Sequence, residues 1–276
     1  MKKLITLFLS IVLTGLTAFT FASCGNTSPN TDGAIYVDTN AFFAPFEYYD
    51  GTEIKGVDVD IMELVGKKLN KKVVIENTDF SVIIDNVASG TKYDCGAAGI
   101  TITEKRKEKV AFSTPYFTSV QYVIVETGKL EKSGTTEEGV DYVLWSELKG
   151  KAIGVQTDTT GDIYVGDEIG LETGALYNSG ATKIGFDNAQ LAVDALKTQV
   201  DAVVVDKLPA EFIVNKSEGL SCFALYYDAN TATEEEYAIC VNKNNTELLN
   251  AINEVLAELG EEGINELVAK HLGLED

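Results

Sequence analysis

Arg106, in the stretch TITEKRKEKV (residues 101–110), is the one arginine of the chain, and the other 21 basic residues are all lysine. A guanidinium is a planar, permanently charged fork that grips a carboxylate through two parallel hydrogen bonds, whereas an ammonium is a mobile point charge. The neighbouring types suit that use. A buried strand reading YDCGAAGI emerges at Ala98 and Gly99, and Thr101 offers a hydroxyl. Thr103 stands where it can cap a short helical turn carrying Arg106. Strand ends in such sheets face a crevice, so Gly99, Thr101 and Arg106 together suit one carboxylate.

Other chemistries lack their residues. His271 is the only histidine and is the sixth residue from the end, which makes a Ser-His-Asp or Cys-His engine improbable. The four cysteines are scattered and no CxxC occurs, so metal-ligand spacing is missing; no GxxxxGK[ST] phosphate loop is found either. No cofactor or metal is expected. Of the 43 acidic residues most are solvated, and nothing in their spacing motivates a glycosidase-type pair.

Alternating elements must position these residues. GAIYVDT reads as a strand, GVDVDIMELVGKKLN as a helix, KKVVIEN as a strand, SVIIDNVASG as a helix closing on Gly90, and YDCGAAGI as a strand. This is the pattern of a parallel sheet covered by helices. The same grammar recurs in KAIGVQT, TGDIYVGDEIG, the weak strand ALYNSG, the helix NAQLAVDALKTQ and the apolar strand VDAVVVD. An extended segment, YFTSVQYVIVETG, enters the second unit, and another, FALYYDANTATEEEYAICVNK, leaves it. The C-terminal stretch is helical, capped by Asn245 or Thr246 and broken at Gly260 and Gly263. Two lobes joined by two crossings follow, with residues 34–118 and 235–276 as lobe 1, 119–234 as lobe 2, and 129–142 as a solvated loop. Ligand sites favour the crevice between such lobes.

The formal net charge of −21 excludes a nucleic-acid partner and repels anionic lipid headgroups. Membrane attachment must then be covalent or inserted. Met1, Lys2 and Lys3 precede an uncharged apolar run through Phe21, which reads as a signal peptide over residues 1–23. FASCGNTSPNTDG resembles a bacterial lipobox, which implies cleavage before Cys24, lipidation of its sulfur and a linker over 24–33; Phe21 departs from the leucine usual there. Cleavage removes two lysines and leaves a charge of −23, with Cys95, Cys222 and Cys240 as the remaining thiols and no disulfide assigned.

NAFFAPFEY with GVDVDIMELV, the Arg106 stretch, IGVQTDTTGD, VDAVVVDKLPA, EEYAICV and the terminal helices occur in one order over residues 34–273. In that order they resemble bacterial family 3 extracellular solute-binding proteins, the lipid-tethered or periplasmic receptors of polar amino-acid ABC importers. The resemblance implies an α/β, two-lobed periplasmic-binding-protein fold (type II, Venus-flytrap) with two hinge strands, present as a monomer. It implies a free amino acid captured between closing lobes and delivered to importer permease subunits. Carried over by residue, Arg106 and Thr101 hold the α-carboxylate, and Thr159 and Thr160 add donors from the other lobe. Asp206 and the Gly99 carbonyl accept from the α-ammonium, Phe43 and Phe80 sandwich the side chain, and Asn40 and Gln156 meet its distal group. Asp158 stands where relatives carry glycine, which puts the carboxylate site in question there. Neutral Asn40 and Gln156 favour a neutral polar ligand, with a cationic amino acid as the alternative. A cyclohexadienyl dehydratase-like enzyme and a non-transport sensor or adhesin on the same fold are the competing functions.

Overall fold

The structure, a computed structural model, describes residues 33–274; the expected signal peptide, Cys24 and nearly all of the linker lie outside the described residues. Two main sheets organise the chain. The first has five strands in the order Val73–Asn77, Ile35–Thr39, Cys95–Gly96, Cys240–Val241, Ala111–Phe112. Its first three strands run parallel, and the two others are added antiparallel. Helix Val57–Leu69 packs against the C-terminal helix Thr246–Leu272, so the end of the chain returns to the first sheet. The apolar stripe of Val57, Ile61, Met62 and Val65 is fully buried in that contact layer. Its repeat at helical spacing is what makes this helix readable from sequence.

The second sheet begins with the parallel strands Thr182–Phe186, Ala152–Gln156 and Ala202–Asp206. Phe117–Glu126 then joins antiparallel, followed by Leu220–Asp228, Asp141–Leu144 and Gly134–Thr135. Phe117–Glu126 is the long element that binds the two halves. Its first residues pair with the returning strand Glu234–Tyr237, while its later ones lie inside the second sheet. The two crossings are therefore hydrogen-bonded to each other, with Tyr237 opposite Phe117 and Glu235 opposite Ser119. A hairpin sheet of Phe42–Phe43, Glu47–Asp50 and Glu53–Lys55 stands beside the first sheet.

Local signals mostly hold. Thr103 Oγ accepts from the Arg106 N–H at 3.2 Å, Gly90 ends helix Phe80–Ser89 in the left-handed region, and Asn245 caps the last helix by accepting from Leu248 N–H. Gly260, at φ 60 and ψ −174, breaks that helix, whereas Gly263 remains within its second segment. Three readings are corrected. ALYNSG forms turns, with Asn178 and Gly180 at positive φ, and the strand lies just beyond it at Thr182–Phe186. That strand sits at the sheet edge, so Thr182, Lys183 and Gly185 are exposed and its pattern carries little apolar signal. NAQLAVDALKTQ is helical only over Ala189–Asp194 and continues as turns. The loop expected at 129–142 also contributes the short strand Gly134–Thr135 and the start of Asp141–Leu144.

Among the described residues, Cys95, Cys222 and Cys240 are free. Cys240 pairs in register with Gly96 and Cys95 with Val241, which places the two thiols on opposite faces of the first sheet and in different core clusters. That alternation prevents a disulfide between them.

Candidate functional site

An enclosed cavity lies where the C-terminal ends of both parallel sheets meet. It is lined by Asn40, Phe43, Glu47, Phe80, Ala98, Gly99, Thr101, Gln156, Thr159, Thr160 and Asp206. Nine of the ten expected ligand-binding residues are in that lining; Arg106 is the exception. Asn40 follows strand Ile35–Thr39, Gln156 ends strand Ala152–Gln156, and Asp206 ends strand Ala202–Asp206. The parallel strands thus deliver their last side chains into one crevice.

Arg106 stands directly behind the lining, 8% exposed. Its fork is taken by two carbonyl oxygens: Nη1 donates to the Thr101 carbonyl at 2.7 Å and Nη2 to the Asp158 carbonyl at 2.9 Å. The second bond crosses from one lobe to the other. Its guanidinium also lies 5.4 Å from the centre of the Phe80 ring, which couples it to a cavity wall. Asp158 itself adopts φ 63 with its side chain exposed, and its N–H donates to Asp162 Oδ2 at 2.9 Å. The left-handed turn, for which glycine was expected, is therefore made here by aspartate, a residue whose short polar side chain tolerates that region. The carboxylate turns outward and away from the cavity.

Gly99 is constrained on both counts that favour glycine. Its φ is 51, and a Cβ there would fall 2.7 Å from Phe43 Cε1. Its N–H donates to the Asp58 carboxylate at 3.0 Å, and Asp58 also accepts from the Tyr116 hydroxyl. Burial pushes the Asp58 carboxyl up to about 6, against the pull of those two bonds. Thr159 caps helix Thr160–Gly170, accepting from Asp162 N–H at 3.3 Å while donating to the Gln156 carbonyl at 2.8 Å. Asn40 and Gln156 meet across the cleft, where Gln156 Nε2 donates to Asn40 Oδ1 at 3.0 Å. Their polar groups close the cavity instead of standing free at its far end.

A buried carboxylate network lies beneath this lining. Glu235 Oε2 accepts from the Thr101 hydroxyl at 2.6 Å and from the Thr160 hydroxyl, one from each lobe. Gln121 Nε2 donates to both Glu235 and Asp206, and the Tyr237 hydroxyl donates to Asp206. Both crossing strands are thereby wired to the end of strand Ala202–Asp206. Burial and the neighbouring Glu235 hold the Asp206 carboxyl well above the usual carboxylate range, although the Tyr237 and Gln121 bonds oppose the rise. Glu47 is raised well above its ordinary value as well, by burial and then by Asp58 and Asp206. Such a set of carboxylates suits a ligand that brings positive charge.

Glu47, Asp58, Gln121, Glu235 and Tyr237 were not among the residues expected from the sequence. For Glu235 the sequence carries no signal, since EEEY is acidic at three consecutive positions and only the folded strand turns the middle one inward. Glu47 sits inside the aromatic run FFAPFEYY, between buried Phe46 and half-buried Tyr48, and only its pairing in the hairpin sets the direction of its side chain. Gln121 lies in a strand whose other central residues are apolar.

Residues 35–274 match the model of the bacterial extracellular solute-binding proteins, family 3, and the chain belongs to that family. It is thus a two-lobed binding protein, not an enzyme, that works outside the cytoplasm. Among curated relatives, the arginine-binding extracellular protein ArtP of Bacillus subtilis is 24% identical over 98% of this chain and 97% of its own. A probable histidine-binding protein of Neisseria gonorrhoeae is 28% identical, with 94% and 92% covered. Among solved structures, an ancestral arginine-binding protein bound to arginine is 34% identical with a TM-score of 0.71, covering 86% of this chain and 97% of that one.

Proposed function

We propose that the protein captures a free amino acid between its lobes and delivers it to an ABC importer. The observation that carries the reading is the enclosed cleft cavity with Asp206 in its wall and Arg106 directly behind it. The relatives named for arginine and histidine binding support the ligand class. Asp206 and the Gly99 carbonyl take the α-ammonium. Thr101, Thr159 and Thr160 face the α-carboxylate, and Arg106 supplies the positive potential behind them. Phe43 and Phe80 hold the side chain between their rings, and Asn40 and Gln156 bound its far end.

Mechanism follows from the placement of these groups on different lobes. A ligand that contacts Asp206 and Thr160 on one side and Gly99 and Thr101 on the other gains its full set of bonds only in the closed form. It shifts the open–closed equilibrium by that differential affinity. Residues 34–118 with 235–276 move as lobe 1 and 119–234 as lobe 2, hinged on the paired strands at Phe117–Val120 and Glu234–Tyr237. The closed monomer then presents both lobes to the permease, while a lipid on Cys24 keeps it at the membrane.

Mass spectrometry of small molecules released from the purified protein, followed by calorimetric titration with the twenty amino acids, tests the reading. A co-purified amino acid that rebinds with micromolar or tighter affinity is expected. Absence of binding across the whole set would overturn it.

A further inference from the structure

Glu47 has no counterpart in the roles just described. It is 1% exposed and lines the cavity, and neither carboxylate oxygen has a hydrogen-bond partner among the described residues. Its position is set by the hairpin: Glu47 pairs in register with Phe43, so the two side chains share the face that looks into the cleft. A buried carboxylate without donors is strongly unfavourable unless something supplies counter-charge or hydrogen bonds. Nothing nearby among the described residues does. The charged groups that act on it are Asp58 and Asp206, both acidic. Arg106 is outside the lining and its fork is occupied by the Thr101 and Asp158 carbonyls.

The charge balance of the cavity then points to its occupant. A zwitterion with a neutral side chain brings one ammonium and one carboxylate. Asp206 takes the ammonium, and Glu47 is left as before. A ligand with one further positive charge on its side chain neutralises the second wall carboxylate as well. We propose that Glu47 is a specificity-determining residue that selects amino acids with a cationic side chain over neutral isosteres of the same length. This rests on the reading of the cavity as an amino-acid site and deepens it. It reverses the preference for a neutral polar ligand drawn from Asn40 and Gln156, whose polar groups here bond to each other.

L-Arginine and L-citrulline provide the test, because they share length and shape and differ in replacing a charged guanidinium by a neutral urea. Calorimetric titration of the wild-type protein is expected to give arginine at least about tenfold tighter than citrulline, the scale of one buried charge pair. In Glu47→Gln the ratio is expected to collapse to about threefold or less, with citrulline affinity largely retained. Equal affinities in the wild type overturn the inference without recourse to any variant, as does an unchanged ratio in a folded Glu47→Gln protein. Binding of neutral amino acids but not of arginine or lysine removes the inference and leaves the amino-acid reading standing. Failure of all amino acids to bind removes both.

Discussion

The Arg106 guanidinium of one lobe donates to the Asp158 carbonyl of the other at 2.9 Å, through a turn that aspartate makes at φ 63. The same fork holds the Thr101 carbonyl at 2.7 Å, so one side chain fixes both the loop that carries the Thr101 hydroxyl and the closed position of the opposite lobe. A lysine has no second donor in the same plane to do this.

Arg106→Lys is accordingly expected to fold and to bind its amino acid about 10- to 150-fold more weakly, the range for losing one charge-assisted hydrogen bond of ~1.5–3 kcal/mol. Calorimetric titration of the variant measures this. Unchanged affinity would show that the fork has no part in closure or binding.

Gly99→Ala meets two obstacles, a positive φ and the Phe43 ring 2.7 Å from the new Cβ. A strained backbone position costs on the order of 1–3 kcal/mol, and Phe43 must also withdraw from the cavity wall. Urea denaturation should give a lower midpoint, and ligand affinity should fall in parallel. A variant as stable as the parent would mean that the loop adapts freely.

Asp206→Asn separates stability from function. The carboxylate is buried beside Glu235 and held well above its ordinary range, so its ionised form is a liability in the empty protein. Asparagine can still accept from the Tyr237 hydroxyl. The melting temperature of the ligand-free variant should be equal or higher, whereas affinity for an amino acid should fall by more than about tenfold as the ammonium loses its charged partner. A large drop in melting temperature would contradict this account.

Asp58 gives a pH dependence with a defined sign. Its carboxyl is raised from 3.8 to about 6, so between those values the folded protein binds more protons than the unfolded chain. The contribution of Asp58 to stability is then fully present below about pH 4, declines as pH rises through 6, and is absent above that. A shift of this size corresponds to about 3 kcal/mol. Urea midpoints of the ligand-free protein between pH 4 and 6.5 should fall, and Asp58→Asn should flatten the slope while keeping the Gly99 and Tyr116 contacts. An identical slope in the variant would assign it to other groups.

Much of the architecture was legible because its signals are local. Val57–Leu69 announces itself by apolar spacing, Gly90 and Asn245 by capping chemistry, and Ala202–Asp206 by an apolar run that ends in an acid. Thr182–Phe186 was misplaced into the preceding turn because an exposed edge strand needs no apolar pattern. In the site, the motif residues were found and the supporting carboxylates were not. Among 43 acidic residues, nothing in composition distinguishes the few that are buried.

The alternation of strands and helices determined the two lobes, and the order of motifs determined the family, whose resemblance supplied nine of the residues lining the cavity. Only the tertiary structure decided that Glu47 faces the cleft, that Glu235 joins the Thr101 and Thr160 hydroxyls, and that Arg106 spends its fork on carbonyls. Those relationships join residues as far apart as 134 positions in the chain. They depend on how the two sheets are set against each other, which no short stretch of sequence encodes.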